Sequence, residues 1–223
     1  MKEAVRLLFS GDPETWATVL RSLAFSLFST VLSLVPGLLV GIALSAKGLP
    51  GRRALIAIVN ALTALPTVVI GLIVYMLISR SGPLGYLHLL YSPAGIVFGQ
   101  TFLAFPIVAS LTCAGLSKLD PRFRETLVTL GAGPAARFAA TMRESRQLIV
   151  AAVVTAFGRV TGEVGVCTML GGNIKGVTRT MTTTIALDIG LGDYERALAL
   201  GMVLLSIAVA INLILHALVP RDA

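Results

Sequence analysis

Charge is what this sequence has least of. Only 13% of its 223 residues are charged, against roughly 25% in an ordinary soluble domain. Aromatic residues are also few, at 6%, which excludes a membrane β-barrel with aromatic girdles. The two cysteines, Cys113 and Cys167, sit in apolar stretches with no CxxC spacing and no neighbouring histidine, so they read as small packing residues. The two histidines, His88 and His216, lie far apart. No HExxH or Cys/His cluster suggests a resident metal. No GxxxxGK[ST] loop is present to cradle a nucleotide, and no nucleophile–base pair points to a membrane enzyme.

What is abundant is apolar. Hydrophobic residues make up 56% of the chain and mean hydropathy is +0.89. Such a chain cannot clothe itself in polar side chains in water. That places it in a bilayer and rules out disorder or a disulfide scaffold. The net charge of +7 then reads as the positive-inside bias rather than as a nucleic-acid footprint. The length suits one domain.

Five apolar stretches exceed the roughly 20 residues needed to cross the hydrocarbon core: 22–46, 54–79, 94–116, 147–171 and 197–220. The fourth carries Arg159 and Glu163, four apart and so on one helix face, where they can pair. The expected fold is an all-α integral membrane protein of one transmembrane domain, 1–223. An odd number of spans puts the termini on opposite sides. The side holding residues 47–53, the 118–146 loop and the tail has ten Lys and Arg against seven on the other. The bias places that loop and the C-terminus in the cytoplasm and the N-terminus outside. The first 20 residues read as a short interfacial helix before Asp12-Pro13 turns the chain. The first long apolar run, after Arg21, is too long for a cleavable signal. Pro36, Pro66 and Pro106 predict kinks. Gly37–Gly41 and Gly158–Gly162 are GxxxG spacings that permit close helix approach.

The 118–146 loop is longer than a connector needs to be. Asp120-Pro121 is a helix start, residues 122–130 read as a short helix, Gly131-Ala132-Gly133 ends it, and Pro134 opens a second helix. Glu125-Thr126-Leu127, three residues, then Gly131 resembles the EAA loop of ABC importer permeases. Thr126 and Leu127 replace that pattern's two alanines. Its Leu-Pro end is absent, with Arg143-Glu144 standing about there. Ser79-Arg80-Ser81-Gly82-Pro83-Leu84-Gly85, Gly162-Glu163-Val164-Gly165 and the stretch from Gly171-Gly172-Asn173-Ile174-Lys175-Gly176-Val177-Thr178-Arg179 to Thr184 together resemble permeases of tungstate-type importers, within the molybdate and sulfate group.

The resemblance implies a homodimeric permease. An external binding protein would deliver the oxyanion. Two cytoplasmic ABC ATPase subunits, carrying the ATP and magnesium, would dock on the 118–146 loop. It implies coupling roles for Arg122, Glu125, Gly131 and Gly133, and no cofactor in this chain. Tungstate is the first cargo expected, with molybdate or sulfate as alternatives of the same shape. A rival of another class is an ATP-independent channel or secondary transporter using the basic loop to contact anionic membrane lipid. A dianion crossing low dielectric needs donors or a wet path. Candidates for the pathway or a gate are Arg159, Glu163, Asn173, Lys175, Thr178 and Arg179. Arg159 and Glu163 also read as a packing ion pair, and the 171–184 stretch also reads as a solvated loop with a short helix at 182–189.

Overall fold

The computed structural model describes residues 12–46 and 49–218. Among these are ten α-helices and no strand. We number them α1 (Pro13–Ser45), α2 (Arg52–Ala64), α3 (Thr67–Ile78), α4 (Pro93–Ser117), α5 (Pro121–Thr129), α6 (Pro134–Glu144), α7 (Arg146–Thr161), α8 (Gly165–Gly171), α9 (Met181–Leu191) and α10 (Tyr194–Leu218).

Helix α1 begins where Asp12 and Pro13 direct it. The Asp12 carboxylate accepts from the Thr15 N–H at 2.9 Å and from the Thr15 hydroxyl at 2.6 Å, and Pro13 occupies the first turn. Residues 13–20 are the opening turns of α1; the short interfacial helix expected before Asp12-Pro13 falls on residues 1–11, outside the described residues. At about 1.5 Å per residue, the 33 residues of α1 span roughly 50 Å, more than the ~30 Å hydrocarbon core.

The prolines act unequally. Pro36 and Pro106 lie within continuous helices. Pro66 breaks the expected 54–79 span into α2 and α3, which meet at 99°. Proline cannot donate to the ladder and pushes the preceding residue out of the helical region; Leu65 is extended, at φ −62° and ψ 138°. The expected 147–171 span is also two helices, α7 and α8, bent by 62°. The five expected spans thus correspond to three straight helices long and apolar enough to cross a bilayer (Pro13–Ser45, Pro93–Ser117, Tyr194–Ala217) and two bent pairs.

The packing is that of a protein whose solvent is oil. On α1 the buried face carries Thr18, Ser22, Ser26, Ser29, Thr30 and Ser33, while Leu20, Phe28, Val35 and Leu39 are over half exposed. A water-soluble helix would reverse this. The small residues let α1 lie close on α4. A Cβ on Gly41 would fall 2.7 Å from the Ala109 carbonyl oxygen, and one on Gly37 2.8 Å from Val108. The second GxxxG behaves differently: Gly158 packs on Ile211, but nothing lies within 4 Å of a Cβ at Gly162. The main core joins α3, α4, α7 and α8 through Val74, Ile78, Leu103, Val108, Val160 and Leu170.

A buried amide pins this bundle. Gln100 of α4 donates to the Val160 carbonyl (3.2 Å) and the Cys167 sulfur (3.3 Å), and accepts from the Ser29 hydroxyl (2.9 Å). It therefore binds α1, α7 and α8 at once. It also satisfies a carbonyl near the end of α7, where the bend removes helical partners.

Candidate coupling and translocation sites

The 118–146 segment is a helix, a glycine turn and a helix, as its sequence predicts. Asp120 caps α5 by accepting from the Arg122 N–H at 2.9 Å. Arg122 and Glu125 are exposed on α5. Gly131 has φ +70°, a left-handed conformation that favours glycine. Its N–H reaches the Val128 carbonyl, and the Ala132 N–H reaches Leu127. Gly133 has an ordinary φ of −67° and starts α6 just before Pro134. The backbone therefore requires glycine at 131 and not at 133.

Helix α5 barely packs on the rest of the chain. Val128, Leu130 and Phe138 are exposed apolar residues at this end. A cleft of about 390 Å³ separates Leu127, Phe138 and Met142 from Ile42 and Leu116 at the ends of α1 and α4. The links to the bundle are short. Three residues join α4 to α5, and the fully buried Ser145 alone lies between α6 and α7.

The remaining candidates gather at the other end. Along the 25 residues of α4 the two ends stand roughly 37 Å apart. Arg159 and Glu163 form the expected pair, 3.2 Å between Nη1 and Oε2, with the Glu163 side chain only 2% exposed. Glu163 also builds the α7–α8 bend. Its Oε1 accepts from the Val166 N–H at 3.1 Å, and its carbonyl accepts from the Thr182 hydroxyl at 2.7 Å.

The 171–184 stretch is not an ordinary solvated loop. Thr178 is fully buried, donates to the Gly171 carbonyl at 2.6 Å and accepts from the Ile174 N–H at 2.9 Å. Thr180 and Thr183 form a reciprocal capping box at the start of α9. Hydroxyl contacts run from Thr182 to Thr180 and on to Thr183, which donates to Asn173 Oδ1 at 2.9 Å. Asn173 and the Glu163 backbone thus belong to one network, fastened to α1 where the Met181 N–H meets the Ser22 hydroxyl at 2.7 Å.

Lys175 and Arg179 are placed by partners that the sequence did not reveal. Lys175 pairs with Glu14 at 2.7 Å, and Arg179 reaches the Asn173 carbonyl at 3.5 Å. Arg196 lies 3.9 Å from Glu14 and 3.5 Å from Asp188. Burial raises the Asp188 carboxyl above its usual range, against the pull of Arg196. Opposite charges from α1, the 172–180 loop, α9 and α10 meet here. The coupling residues 122, 125, 131 and 133 belong to the opposite end.

Comparison with known proteins identifies the family. The family model described as "Binding-protein-dependent transport system inner membrane component" matches residues 37–221. The chain is 35% identical to the tungstate uptake system permease protein TupB of Peptoclostridium acidaminophilum, over 97% of this chain and 95% of that protein. It is also 35% identical to TupB of Campylobacter jejuni, over 97% of this chain and 91% of that protein. A solved structure of the MetNI methionine ABC transporter in an inward-facing conformation superposes with a TM-score of 0.73, covering 94% of this chain and all of that one, at 18% identity. That likeness is one of fold. The chain is a permease of the binding-protein-dependent transport systems, belonging to their family of inner membrane components.

Proposed function

We propose that this chain is the membrane subunit of an ABC importer for an oxyanion, tungstate in the first place. The observation that carries this is its near full-length, 35% identity to two tungstate uptake permeases. The assembly is a homodimer with two cytoplasmic ATPase subunits, which hold the ATP and magnesium, and an external binding protein. The excess of Lys and Arg on the side of the 118–146 segment puts that segment and the C-terminus in the cytoplasm, and Asp12 at the outer face.

The geometry supplies a route for force. Helix α5 stands off the bundle with an exposed apolar and basic surface, so an ATPase can grip it. The tight turn at Gly131 fixes α5 against α6. The short links at residues 118–120 and at Ser145 leave little slack, so displacement of the α5–α6 element passes into α4 and α7. Helix α7 ends at the Glu163 bend, whose carbonyl holds Thr182. Motion of α7 therefore reaches the outer 171–184 network and the charge cluster around Glu14. In this account Arg159, Glu163, Asn173, Lys175, Thr178 and Arg179 shape and move the outer gate, and selection among anions falls mainly to the binding protein.

The test is uptake into sealed vesicles holding the permease with its ATPase and binding protein. Labelled tungstate is offered with a tenfold excess of molybdate or sulfate. Tungstate entry that resists sulfate supports the cargo assignment. Preferential sulfate entry keeps the machine and discards the cargo.

A further inference from the structure

A polar cleft of about 540 Å³ lies at the end of the molecule opposite α5, bordered by Tyr75, Ser79, Arg80, Ser81, His88 and Tyr91. It borders the 171–184 network through Tyr91 but shares none of the candidate pathway residues. Its volume is within the roughly 300–1,000 Å³ of small-molecule sites.

Three features give the cleft a sign. The chain has no aspartate or glutamate from Thr15 to Leu119, so neither the cleft nor its supporting helices bring a carboxylate of their own. Among the described residues Arg80 is in no ion pair, whereas Lys175, Arg196 and Arg159 all have carboxylate partners. Three of the last carbonyls of α3, which would repel an anion, are already occupied. The Ser79 N–H takes Tyr75, the Ser79 hydroxyl takes Met76, and the Leu84 N–H takes Leu77. What remains on the rim is a guanidinium, an imidazole, two phenols and the Ser81 hydroxyl, a set able to donate to one anion.

The wall is also preformed. His88 and Tyr91 are non-glycine residues in the left-handed region, at φ 51° and 60°. Such conformations persist only where the surroundings impose them. The Tyr91 N–H is tied to the Leu170 carbonyl at 2.7 Å, and its ring rests on Gly172, where a Cβ would come within 2.8 Å. A Cβ on Gly82 or Gly85 would strike the Met76 or Ser79 carbonyl, so the loop is folded hard onto α3. The neighbouring Tyr75 phenol keeps the Tyr91 phenol protonated beyond its ordinary range.

We propose that this cleft binds a tetrahedral oxyanion of the phosphate type, gripped by the Arg80 guanidinium with His88 and the Tyr91 phenol as further donors. Such a group has two sources here: the headgroup of an anionic phospholipid at the membrane surface, or a free oxyanion in solution. The site stands on this geometry alone and does not depend on the cargo of the importer.

Two arms separate the sources. In the first, the permease alone in phospholipid-free detergent is titrated with labelled inorganic phosphate and with tungstate. In the second, retention of phosphatidylglycerol on the purified permease is read by native mass spectrometry. Each arm compares wild type with Arg80→Gln, Arg80→Lys, Tyr91→Phe and an exposed cation at the other end, Arg53→Gln. The site predicts that at least one ligand binds and is weakened about tenfold or more by Arg80→Gln. Tyr91→Phe and Arg80→Lys weaken it less, and Arg53→Gln leaves it unchanged. An effect confined to phosphate and tungstate assigns the free anion. An effect confined to the lipid assigns the headgroup. Should Arg80→Gln not fold, the Tyr91→Phe loss against Arg53→Gln decides alone. If neither ligand distinguishes the cleft variants from Arg53→Gln, the proposal is overturned.

Discussion

Alanine at Gly41 and at Gly162 is the same change in two copies of one motif, and the structure predicts opposite outcomes. A Cβ on Gly41 would lie 2.7 Å from both the Ala109 carbonyl oxygen and the Thr112 Cβ. Carbon contacts are comfortable at about 3.5 Å or more, so α1 and α4 must part by roughly 0.8 Å at their crossing. Overpacking of this kind costs about 1–3 kcal/mol, and the gain in helix propensity returns about 1 kcal/mol. The net loss is on the order of 0–2 kcal/mol, which lowers Tm by up to a few degrees in a chain of this size. Gly162 has φ −87° and open space where a Cβ would sit. Alanine there is neutral or adds up to about 1 kcal/mol by restricting the unfolded chain. Thermal unfolding of both variants in one detergent reads the difference. A Gly41→Ala protein that melts above Gly162→Ala would refute the close α1–α4 seam.

Other perturbations probe other parts. Gln100→Leu removes three buried hydrogen bonds near the α7–α8 bend, and stability should fall by about 1–2 kcal/mol in the same assay. Glu163→Gln keeps an acceptor for the Val166 N–H but gives up the pair with Arg159. Because that arginine is 44% exposed, the pair contributes at most about 1 kcal/mol, so Glu163→Ala should be clearly worse than Glu163→Gln. Asp12→Ala should cost about 0.5–2 kcal/mol by uncapping α1. Hydrogen bonds from Thr15, side chain first, hold the Asp12 carboxyl below its ordinary 3.8. Its stabilisation is therefore present above pH 3.8 and is lost as pH falls through the lower folded value. Acid unfolding curves should show this decline in the wild type and a smaller one in Asp12→Ala.

Much of this was legible in the chain because its signals are local. Apolar run length disclosed the membrane and the long helices. Asp120-Pro121, Gly131 and Pro134 disclosed the helix–turn–helix of the 118–146 segment, since caps and turns are written in neighbouring residues. The spacing of Arg159 and Glu163 disclosed their pair. The bends were less visible. Pro66 gave a signal, but proline is tolerated inside α1 and α4, so its presence alone does not say which helix breaks. The α7–α8 bend depends on Glu163 turning back to cap Val166 and on Thr182, which is distant in sequence. Gln100 was overlooked because a single amide in an uncharged stretch looks incidental until Ser29, Val160 and Cys167 surround it. The partners of Lys175 and Arg196 were hidden for the same reason, Glu14 lying at the far end of the chain. The hydroxyls of 178–184 read as exposed polar residues, yet they are buried and bonded to one another.

The central claim is that α5, its glycine turn and α6 transmit ATP-driven force. Proline at position 131 tests it most directly. Proline fixes φ near −65° where the chain needs +70°, and it removes the N–H that reaches Val128. The damage falls on an exposed turn, so the bundle should fold and melt as before. ATP-dependent tungstate uptake should then fall to background in vesicles carrying Gly131→Pro with the ATPase and binding protein, while the wild type accumulates the anion. Uptake that proceeds unchanged in Gly131→Pro, or wild-type flux indifferent to ATP, would contradict the account.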